Sequence, residues 1–246
     1  MTVMQQIARG ARIACATGAL ILCLSTMCDA FADSAQRLPA PTLDGPKSVA
    51  PLQTVVLAGG CFWGVQGVFQ HVRGVRRVLA GYAGGDESTA HYHMVSSGTT
   101  GHAESVEITF DPQVISYGEI LRIFFSVVHD PTELNRQGPD VGSQYRSAIF
   151  YRDDTQAAIA RAYIAQLDQA RLFKRSIVTR VDPLKGFYLA EDTHQDFLIK
   201  YPASPYIVVN DLPKIANLKA LFPQDYREQP VRATDSAIAV TIEGSR

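Results

Sequence analysis

Residues 54–72 read TVVLAGGCFWGVQGVFQHV, and this stretch decides how the rest of the chain is interpreted. Its first five residues form an apolar run that is typical of a buried strand, and two glycines interrupt the run. From Phe62 to Val72, apolar residues recur on one helical face. The stretch therefore predicts a strand, a glycine turn and a helix, with Cys61 at the point where the helix begins.

Further strands and helices follow this unit along the chain. The sequence predicts, in order, strands at Val75–Tyr82 and Ser105–Phe110, a helix at Tyr117–Val128 opened by a Ser116–Glu119 capping box, a strand at Ser147–Tyr151, a helix from an Asp153 cap to about Leu172, and a strand at Ser176–Val181. Two of these strands have no helix between them. We therefore predict an α+β fold, a two-layer sandwich with a mixed or antiparallel sheet and a ferredoxin-like (split βαβ) core.

The composition is that of an ordinary globular protein. The chain has 246 residues, of which 46% are hydrophobic and 19% charged, and its mean hydropathy is -0.01. These values suit one domain with a sizeable core. The 23 basic and 24 acidic residues give a net charge of -1, and no run of Lys or Arg is present. We therefore expect no nucleic-acid partner.

The first 32 residues differ from the rest of the chain. In residues 1–32, Arg9 and Arg12 precede an apolar stretch at 13–28, and the last three residues read AFA. This order is typical of a secretory signal peptide, and the apolar stretch is shorter than the ~20 residues that a membrane span needs. We expect cleavage after Ala32 and an exported protein, periplasmic or secreted, with no membrane span after cleavage. A short N-terminal membrane anchor is the alternative.

Three parts remain after this segment. Residues 33–52 hold four prolines and little apolar periodicity, which predicts a Pro-rich, flexible or extended lead-in. Residues 53–228 form the expected globular and catalytic domain. Residues 229–246 are small and polar, and we expect this tail to be disordered.

Cysteine usage singles out one residue. Cys15, Cys23 and Cys28 lie inside the expected signal peptide, so Cys61 is the sole thiol of the mature chain and no internal disulfide can form. A helix N-terminus lowers the pKa of a cysteine because unpaired backbone N–H groups favour the thiolate. The position therefore favours a reactive Cys61, with a buried structural cysteine as the alternative.

The residues that follow Cys61 carry two further signals. Phe62 and Trp63 have the character of an apolar pocket for a methyl or thioether group, and membership of the core is the alternative. Gly64 and Gly67 lie inside the predicted helix, where each costs roughly 1 kcal/mol relative to alanine. Their presence predicts that another segment approaches the helix backbone closely.

Seven short motifs follow one another along the chain. They are Gly60-Cys61-Phe62-Trp63-Gly64, Gly101-His102-Ala103-Glu104, Asp111-Pro112 with Ile115-Ser116-Tyr117, His129-Asp130-Pro131-Thr132, Asn135 with Gln137-Gly138, Gln144-Tyr145-Arg146-Ser147, and Ala190-Glu191-Asp192 with His194-Gln195. In this order and at this spacing, they resemble the peptide methionine sulfoxide reductases of the A class. The resemblance covers about Val55 to Tyr201, and its strength comes from seven motifs in register, since one alone would be weak.

The resemblance implies a reaction and a set of roles. Cys61 would attack the sulfur of a methionine-S-sulfoxide, protein-bound or free, to give methionine and a Cys61 sulfenic acid. Glu104 matches the family's acid, which burial would keep protonated and which is needed because the oxygen finally leaves as water. Taken singly, each matched residue also has an ordinary structural explanation. The other matched positions are Tyr92 and Tyr145 for two phenols that hold the sulfoxide oxygen, Asp140 for a supporting carboxylate, and Phe62 and Trp63 for the methyl pocket.

The chain departs from the family pattern in two places. Many members carry further cysteines in a C-terminal segment, where they convert the sulfenic acid into a disulfide, but Pro205–Lys214 holds none. The implied enzyme has no bound cofactor and depends on an external thiol reductant, a thioredoxin-like protein or glutathione. Its other partners would be oxidised proteins or peptides that contain methionine sulfoxide. Ala90-His91 also replaces a proline-bearing stretch, so Tyr92 is matched less securely than Tyr145.

Without the family resemblance, the residues are also compatible with three other functions. A thiol peroxidase would use the same Cys61 and form the same sulfenic acid, but on peroxide. A cysteine hydrolase would need a histidine base, for which His102 and His194 are candidates, and a binding module would keep the cysteine motif as packing. His91 and His93 suggest a metal ligand pair, but we expect no metal, because two histidines without a wider cluster are usually solvated.

Overall fold

The computed structural model describes residues 35–45 and 51–233. The expected signal peptide, 1–32, lies outside the described residues, as do residues 33–34 and 46–50 of the lead-in and residues 234–246 of the tail. Within the described ranges, no helix combines the length and the apolar character that crossing a membrane requires.

Strands and helices alternate over most of the described part. The strands are β1 (Gln53–Gly59), β2 (Val75–Ala83), β3 (Ala103–Phe110), β4 (Arg136–Gln137), β5 (Asp140–Val141), β6 (Ser147–Tyr151), β7 (Arg180–Pro183) and β8 (Phe187–Leu189). The helices are α1 (Phe62–Gln70), α2 (Tyr92–Val95), α3 (Tyr117–Ile123), α4 (Asp154–Gln169), α5 (Phe197–Lys200) and α6 (Leu212–Leu221). Short 3₁₀ turns lie at Glu87–Thr89 and Ser143–Tyr145, and π-helical turns at Phe124–Val128 and Ile207–Asp211.

Six of these strands form one sheet in the order β7-β6-β1-β3-β2-β8. All neighbouring pairs are antiparallel except β6 and β7, which are parallel. The inner order β6-β1-β3-β2, with α1 between β1 and β2 and α3 between β3 and β6, is the split βαβ arrangement. The predicted α+β fold with a mixed sheet is therefore confirmed. Strands β4 and β5 form a separate small hairpin.

The sheet packs its larger core on one face. Along β1, Val55 and Leu57 belong to the main core together with the apolar residues of α1, whereas Val56 and Ala58 belong to a smaller cluster on the other face. Successive residues of a strand point to opposite faces, so one apolar run serves both layers. Strand β1 is buried on both faces, and Cys61, two residues after its end, lies in the interior.

Two predicted element boundaries differ from the structure. The strand predicted at Ser176–Val181 is wrong in position, because β7 begins only at Arg180. Before it, the Ile177 amide donates to Asp168 Oδ1 and the Val178 amide to the Pro131 carbonyl, so these groups serve loop contacts instead of the sheet. The helix predicted to about Leu172 ends at Gln169, and the one predicted at Tyr117–Val128 becomes a π-helical turn after Ile123.

The described part of the lead-in, 35–45, runs along the domain without regular secondary structure. Leu38 is 1% exposed, and its amide donates to Ser126 Oγ at 3.2 Å. The Asp44 carboxylate accepts from the Ser116 hydroxyl at 2.5 Å and from the Gly118 amide at 2.8 Å, at the start of α3. This stretch therefore stabilises the α3 end of the core.

Candidate active site

Cys61 lies at the junction that the sequence predicts. Gly60 turns the chain at the end of β1 with φ +92°, a conformation that favours glycine, and Cys61 is the residue that caps α1. The cysteine is a free thiol and is 8% exposed. A strand, a tight turn and a helix start therefore hold the thiol in one place, with a narrow opening to solvent.

Glu104 lies beside Cys61 at the end of β3. Because side chains alternate along a strand, it shares the helix-facing side of β3 with Val106 and Ile108. It is 2% exposed, and its Oε2 accepts from the Phe62 amide at 3.0 Å. Burial raises the pKa of Glu104 to about 8, and the Phe62 amide opposes the rise. Glu104 is therefore buried, and its raised pKa favours the protonated carboxyl group at neutral pH.

The pKa of Cys61 moves opposite to the expectation from its helix position. Burial raises it well above its ordinary value, and the charges of Glu104, Asp211 and Asp140 raise it further. The Trp63 amide at the helix start does lower the pKa, as the sequence argument held, but the other effects are larger. The expected lowering is therefore wrong, because desolvation of a thiolate outweighs the helix terminus. The resting side chain is a thiol.

Two phenols accompany this pair, as the resemblance implied. Tyr145 ends the 3₁₀ turn before β6 and Tyr92 begins α2, where its backbone amide donates to Glu191 Oε1 at 2.9 Å. Burial raises the pKa of both phenols, and the charges of Glu104 and Cys61 raise both further. Because the charges of Glu104 and Cys61 act on both phenols, both lie at the same site. Their raised pKa values keep them protonated near neutral pH, so both can donate hydrogen bonds.

Asp140 reaches the same site from the β4–β5 hairpin. Its Oδ2 accepts a hydrogen bond from the hydroxyl of Tyr206, and burial, Cys61 and Asp140 all raise the pKa of that phenol. Tyr206 lies in the cysteine-free segment Pro205–Lys214 and was not predicted to be a site residue. The carboxylate and the phenol hold each other across the site.

Aromatic rings form the remaining wall. Trp63 stacks on Phe197 with ring centroids 3.7 Å apart and meets the edge of Tyr206 at 5.7 Å. Its Nε1 donates to His194 Nδ1 at 3.2 Å, which requires an unprotonated Nδ1 on that imidazole. Phe62 is fully buried, with its ring 5.2 Å from His194. Trp63 keeps a partly exposed ring, so it is the better placed of the two predicted pocket residues.

Both glycines inside α1 meet another segment, as predicted. A Cβ at Gly64 would overlap Asp211 Oδ1 and lie 2.8 Å from Lys214 Nζ, and a Cβ at Gly67 would lie 2.6 Å from Leu198 Cδ1. The sequence signalled the close approach but not the partner. Asp211 and Lys214 were missed because nothing in the chain near them ties them to Cys61.

The histidines give no support to a hydrolase or a metal site. Both ring nitrogens of His102 are engaged by backbone groups, the Gly85 amide and the Asp86 carbonyl, and His194 Nδ1 is engaged by Trp63. Over residues 35–45 and 51–233, no group of three or more His, Cys, Asp or Glu side chains could hold a metal ion. His91 and His93 stack at 6.1 Å without a third ligand.

A surface pocket of about 500 Å³ adjoins the aromatic wall through Phe197. Its lining residues are Thr193, Phe197, Lys200, Tyr201, Pro202, Ala203 and Ser204. Phe197, which lines this pocket, also stacks on Trp63, the second residue after Cys61.

Comparison with known proteins agrees with this geometry. The family model described as peptide methionine sulfoxide reductase matches residues 53–226. Peptide methionine sulfoxide reductase MsrA 2 of Mesorhizobium japonicum is 58% identical over 185 residues, which are 75% of this chain and 95% of that protein. MsrA 2 of a Synechocystis species is 50% identical, over 78% of this chain and 91% of that protein.

Solved structures show the same fold. Methionine sulfoxide reductase A of Corynebacterium diphtheriae aligns with a TM-score of 0.55 at 32% identity, covering 70% of this chain and 90% of that one. The reduced form of Mxr1 from Saccharomyces cerevisiae aligns with a TM-score of 0.57 at 33% identity, covering 64% and 90%.

Proposed function

The chain belongs to the peptide methionine sulfoxide reductase family, and we propose that Cys61 and Glu104 carry its reaction on methionine-S-sulfoxide. The observation that carries the proposal is the pairing of a buried thiol with a buried carboxyl whose pKa is about 8. A thiol can attack the sulfoxide sulfur, and a protonated carboxyl can protonate its oxygen. The site therefore holds both reactants that the reduction needs.

The proposed first step moves one oxygen from the sulfoxide to Cys61. The sulfoxide oxygen lies toward Glu104, Tyr92 and Tyr145, and Glu104 gives it a proton as the Cys61 sulfur attacks. The thiol proton passes to Glu104, with which the Cys61 side chain forms a hydrogen bond. The oxygen forms a new bond to the Cys61 sulfur as its bond to the substrate sulfur and the transient S–S bond both break, and the products are methionine and a Cys61 sulfenic acid. Glu104 ends the step in its starting protonation state.

Recovery of Cys61 requires thiols from outside the chain. One external thiol attacks the sulfenic acid, which releases water and leaves a mixed disulfide, and a second thiol frees Cys61 as a thiol. The absence of cysteine from Pro205–Lys214 supports this route, because the segment offers no internal attacking thiolate. We propose a thioredoxin-like protein or glutathione as the reductant.

The aromatic wall and the adjoining pocket support the proposed substrates. Trp63 and Phe62 offer apolar surface to the S-methyl group, since methyl and sulfur pack well on rings. The pocket beside Phe197 gives room to the chain that flanks a methionine sulfoxide in a protein. We therefore propose oxidised proteins and peptides as substrates, with the free amino acid also accepted.

We further propose that the enzyme acts after export. The basic, apolar and small-residue order of residues 1–32 supports this, and it would leave Cys61 as the sole cysteine. N-terminal sequencing of the protein recovered outside the cytoplasm tests the proposal, with Asp33 expected as the first residue. An intact Met1 on the exported protein would contradict it.

Turnover with dithiothreitol tests the reaction itself. The protein is given the S and R epimers of a methionine sulfoxide peptide and, separately, hydrogen peroxide. We expect reduction of the S epimer, little of the R epimer, and slow consumption of peroxide. Faster turnover of peroxide than of either epimer would favour a thiol peroxidase. The Cys61→Ser variant, checked for native folding, is expected to be inactive.

A further inference from the structure

Gln66 of α1 is a buried polar residue with partners in two other segments. Its side chain is 1% exposed. Its Nε2 donates to the Val78 carbonyl of β2 at 3.0 Å and to Gln195 Oε1 at 3.1 Å, so both hydrogens of this amide are used. Its Oε1 accepts from the Asp196 backbone amide at 2.9 Å. A buried amide is costly unless its polar atoms are hydrogen-bonded, and these bonds tie Gln66 to the pair Gln195–Asp196 before α5.

The pair Gln195–Asp196 is held in place by further partners. Gln195 Oε1 accepts from the Ala80 amide at 2.9 Å, and its Nε2 donates to the Ala80 carbonyl at 2.8 Å, which ties the pair to β2. Asp196 Oδ1 accepts from Gln70 Nε2 at 2.6 Å and from the Ala233 amide at 2.9 Å. Asp196 has φ +58°, a left-handed conformation that a non-glycine residue keeps where its surroundings enforce it. The backbone of the pair therefore has one fixed path.

An aromatic ring lies on each side of this pair in the sequence, and both rings contact Trp63. His194 directly precedes the pair, and Phe197 directly follows it. Trp63 Nε1 donates to His194 Nδ1 at 3.2 Å, and the Trp63 ring stacks on Phe197 with centroids 3.7 Å apart. Trp63 and Gln66 are three residues apart on α1, so they lie on the same side of the helix. Gln66 therefore joins the helix that carries Trp63 to the segment that carries the other two rings.

We propose that Gln66 is a positioning residue for the substrate, because it fixes these two rings against Trp63 and so sets the shape of the aromatic wall. The proposal rests on the proposed function, in which this wall receives the S-methyl group. Gln66 touches no reacting atom, since its side chain is buried and its polar atoms have partners within the protein. Without the Gln66 side-chain amide, the Asp196 amide and the Val78 carbonyl lose this partner, and the segment before α5 is held less tightly.

The fluorescence and the kinetics of Gln66→Leu, made in the full chain, test this role. Leucine has a similar volume, offers no amide and adds no oxidisable methionine. Trp63 is the only tryptophan of the chain, so its emission reports on the wall without any turnover. We expect the emission to shift to longer wavelength and acrylamide to quench it more strongly, because water reaches Trp63 more easily. For a methionine-S-sulfoxide peptide, KM should rise by about tenfold and kcat should fall by less than about twofold, since β1 and β3 still hold Cys61 and Glu104.

Gln156→Leu is the matched control. Gln156 is also a buried glutamine, 8% exposed. Its Nε2 donates to the Thr54 carbonyl at 2.9 Å, and its Oε1 accepts from the Arg152 amide at 3.0 Å. Gln156 lies in the first turn of α4, and Thr54 lies near the end of β1 that is opposite to Cys61. This variant should lower the free energy of unfolding, but it should leave the Trp63 emission and KM unchanged.

A folded Gln66→Leu protein that matches Gln156→Leu in emission and KM would overturn the proposal, because Gln66 would then stabilise the fold and nothing more. A change in only one of the two readouts would also overturn it. If Gln66→Leu does not fold, Gln70→Leu replaces it. That variant removes one hydrogen bond to Asp196, so we expect the same emission shift and a rise in KM of about threefold, and the absence of both overturns the proposal. The Trp63 emission is measured without substrate, so this failure is distinct from a failure to reduce sulfoxide.

Discussion

Glu104 and Asp211 are both buried carboxyl groups near Cys61, but they belong to different elements and have different partners. Glu104 extends from the sheet and accepts one backbone hydrogen bond, from the Phe62 amide. Asp211 comes from the turn before α6 and pairs with the ammonium of Lys214. Burial raises the pKa of both groups; Lys214 opposes the rise at Asp211, and the Phe62 amide opposes it at Glu104. Burial therefore acts on both carboxyl groups in the same direction, and they differ in the partner that opposes it: a backbone amide at Glu104 and an ammonium group at Asp211.

Loss of the acid should have the largest effect. In Glu104→Gln the amide keeps the shape and can still accept from the Phe62 amide, but it has no proton to give. We expect kcat for the sulfoxide to fall by roughly 10²–10⁴-fold. Glu107→Gln is the matched control, since Glu107 lies on the same strand and pairs with Arg152 near the surface. A near-normal kcat in Glu104→Gln would show that Glu104 is not the proton donor, and the two buried carboxyl groups would then not differ in this role.

The pH profile sharpens the same distinction. Glu104 has a raised pKa of about 8, so it is protonated below that pH and loses its proton above it. We expect kcat/KM for the sulfoxide to decline as pH rises through about 8. Glu104→Gln should lack this decline. A profile in the wild type that keeps rising above pH 8 would contradict the role of Glu104 as proton donor.

The strands and helices that position Glu104 could be predicted from the sequence. Alternating apolar residues define β3, apolar runs define β1 and β6, and the Ser116 capping box marks the start of α3, so local patterns suffice there. The burial of Glu104 was expected from the family resemblance, and its position at the start of β3, on the same side as Val106 and Ile108, explains it.

The contribution of the C-terminal segment to the site could not be predicted from local sequence patterns. Residues 205–221 carry few local signals, and the contact of Asp211 with Gly64 joins positions 147 residues apart in sequence. Gly64 signalled a close approach without naming the partner. The pKa of Cys61 was predicted in the wrong direction for the same reason, because burial and distant carboxyls are tertiary effects.

The free energy of unfolding tests the contact between Gly64 in α1 and Asp211 in the C-terminal segment. Gly64→Ala places a methyl group against the Asp211 carboxyl, and we expect a loss of about 1–3 kcal/mol in the free energy of unfolding. Urea unfolding measures it. Gly45→Ala is the control, since a Cβ there meets nothing within 4 Å. Adding Asp211→Ala to Gly64→Ala should recover part of the loss, and full additivity would show that the two residues are not in contact.

A smaller effect is expected at the hydrogen bond that ties the C-terminal segment to the β4–β5 hairpin. Tyr206→Phe removes the hydroxyl that Asp140 accepts, and a hydrogen bond to a charged group is worth about 1.5–3 kcal/mol. Partial compensation by water at this half-buried site should leave roughly a tenfold loss in kcat/KM. Tyr151→Phe is the control, since Tyr151 ends β6 and its ring lies against Arg161. Equal losses in both variants would remove Tyr206 from the site.

We propose that Cys61 alone takes the oxygen from the sulfoxide and keeps it as a sulfenic acid until an external thiol reacts with it. Mass spectrometry of the Cys61 peptide after one turnover without reductant, with dimedone as a sulfenic-acid trap, tests it most directly. We predict one equivalent of methionine, a dimedone adduct on Cys61, and no disulfide that includes Cys61. Methionine formed with Cys61 unmodified, or with Cys61 in a disulfide to another cysteine of the chain, would contradict the account.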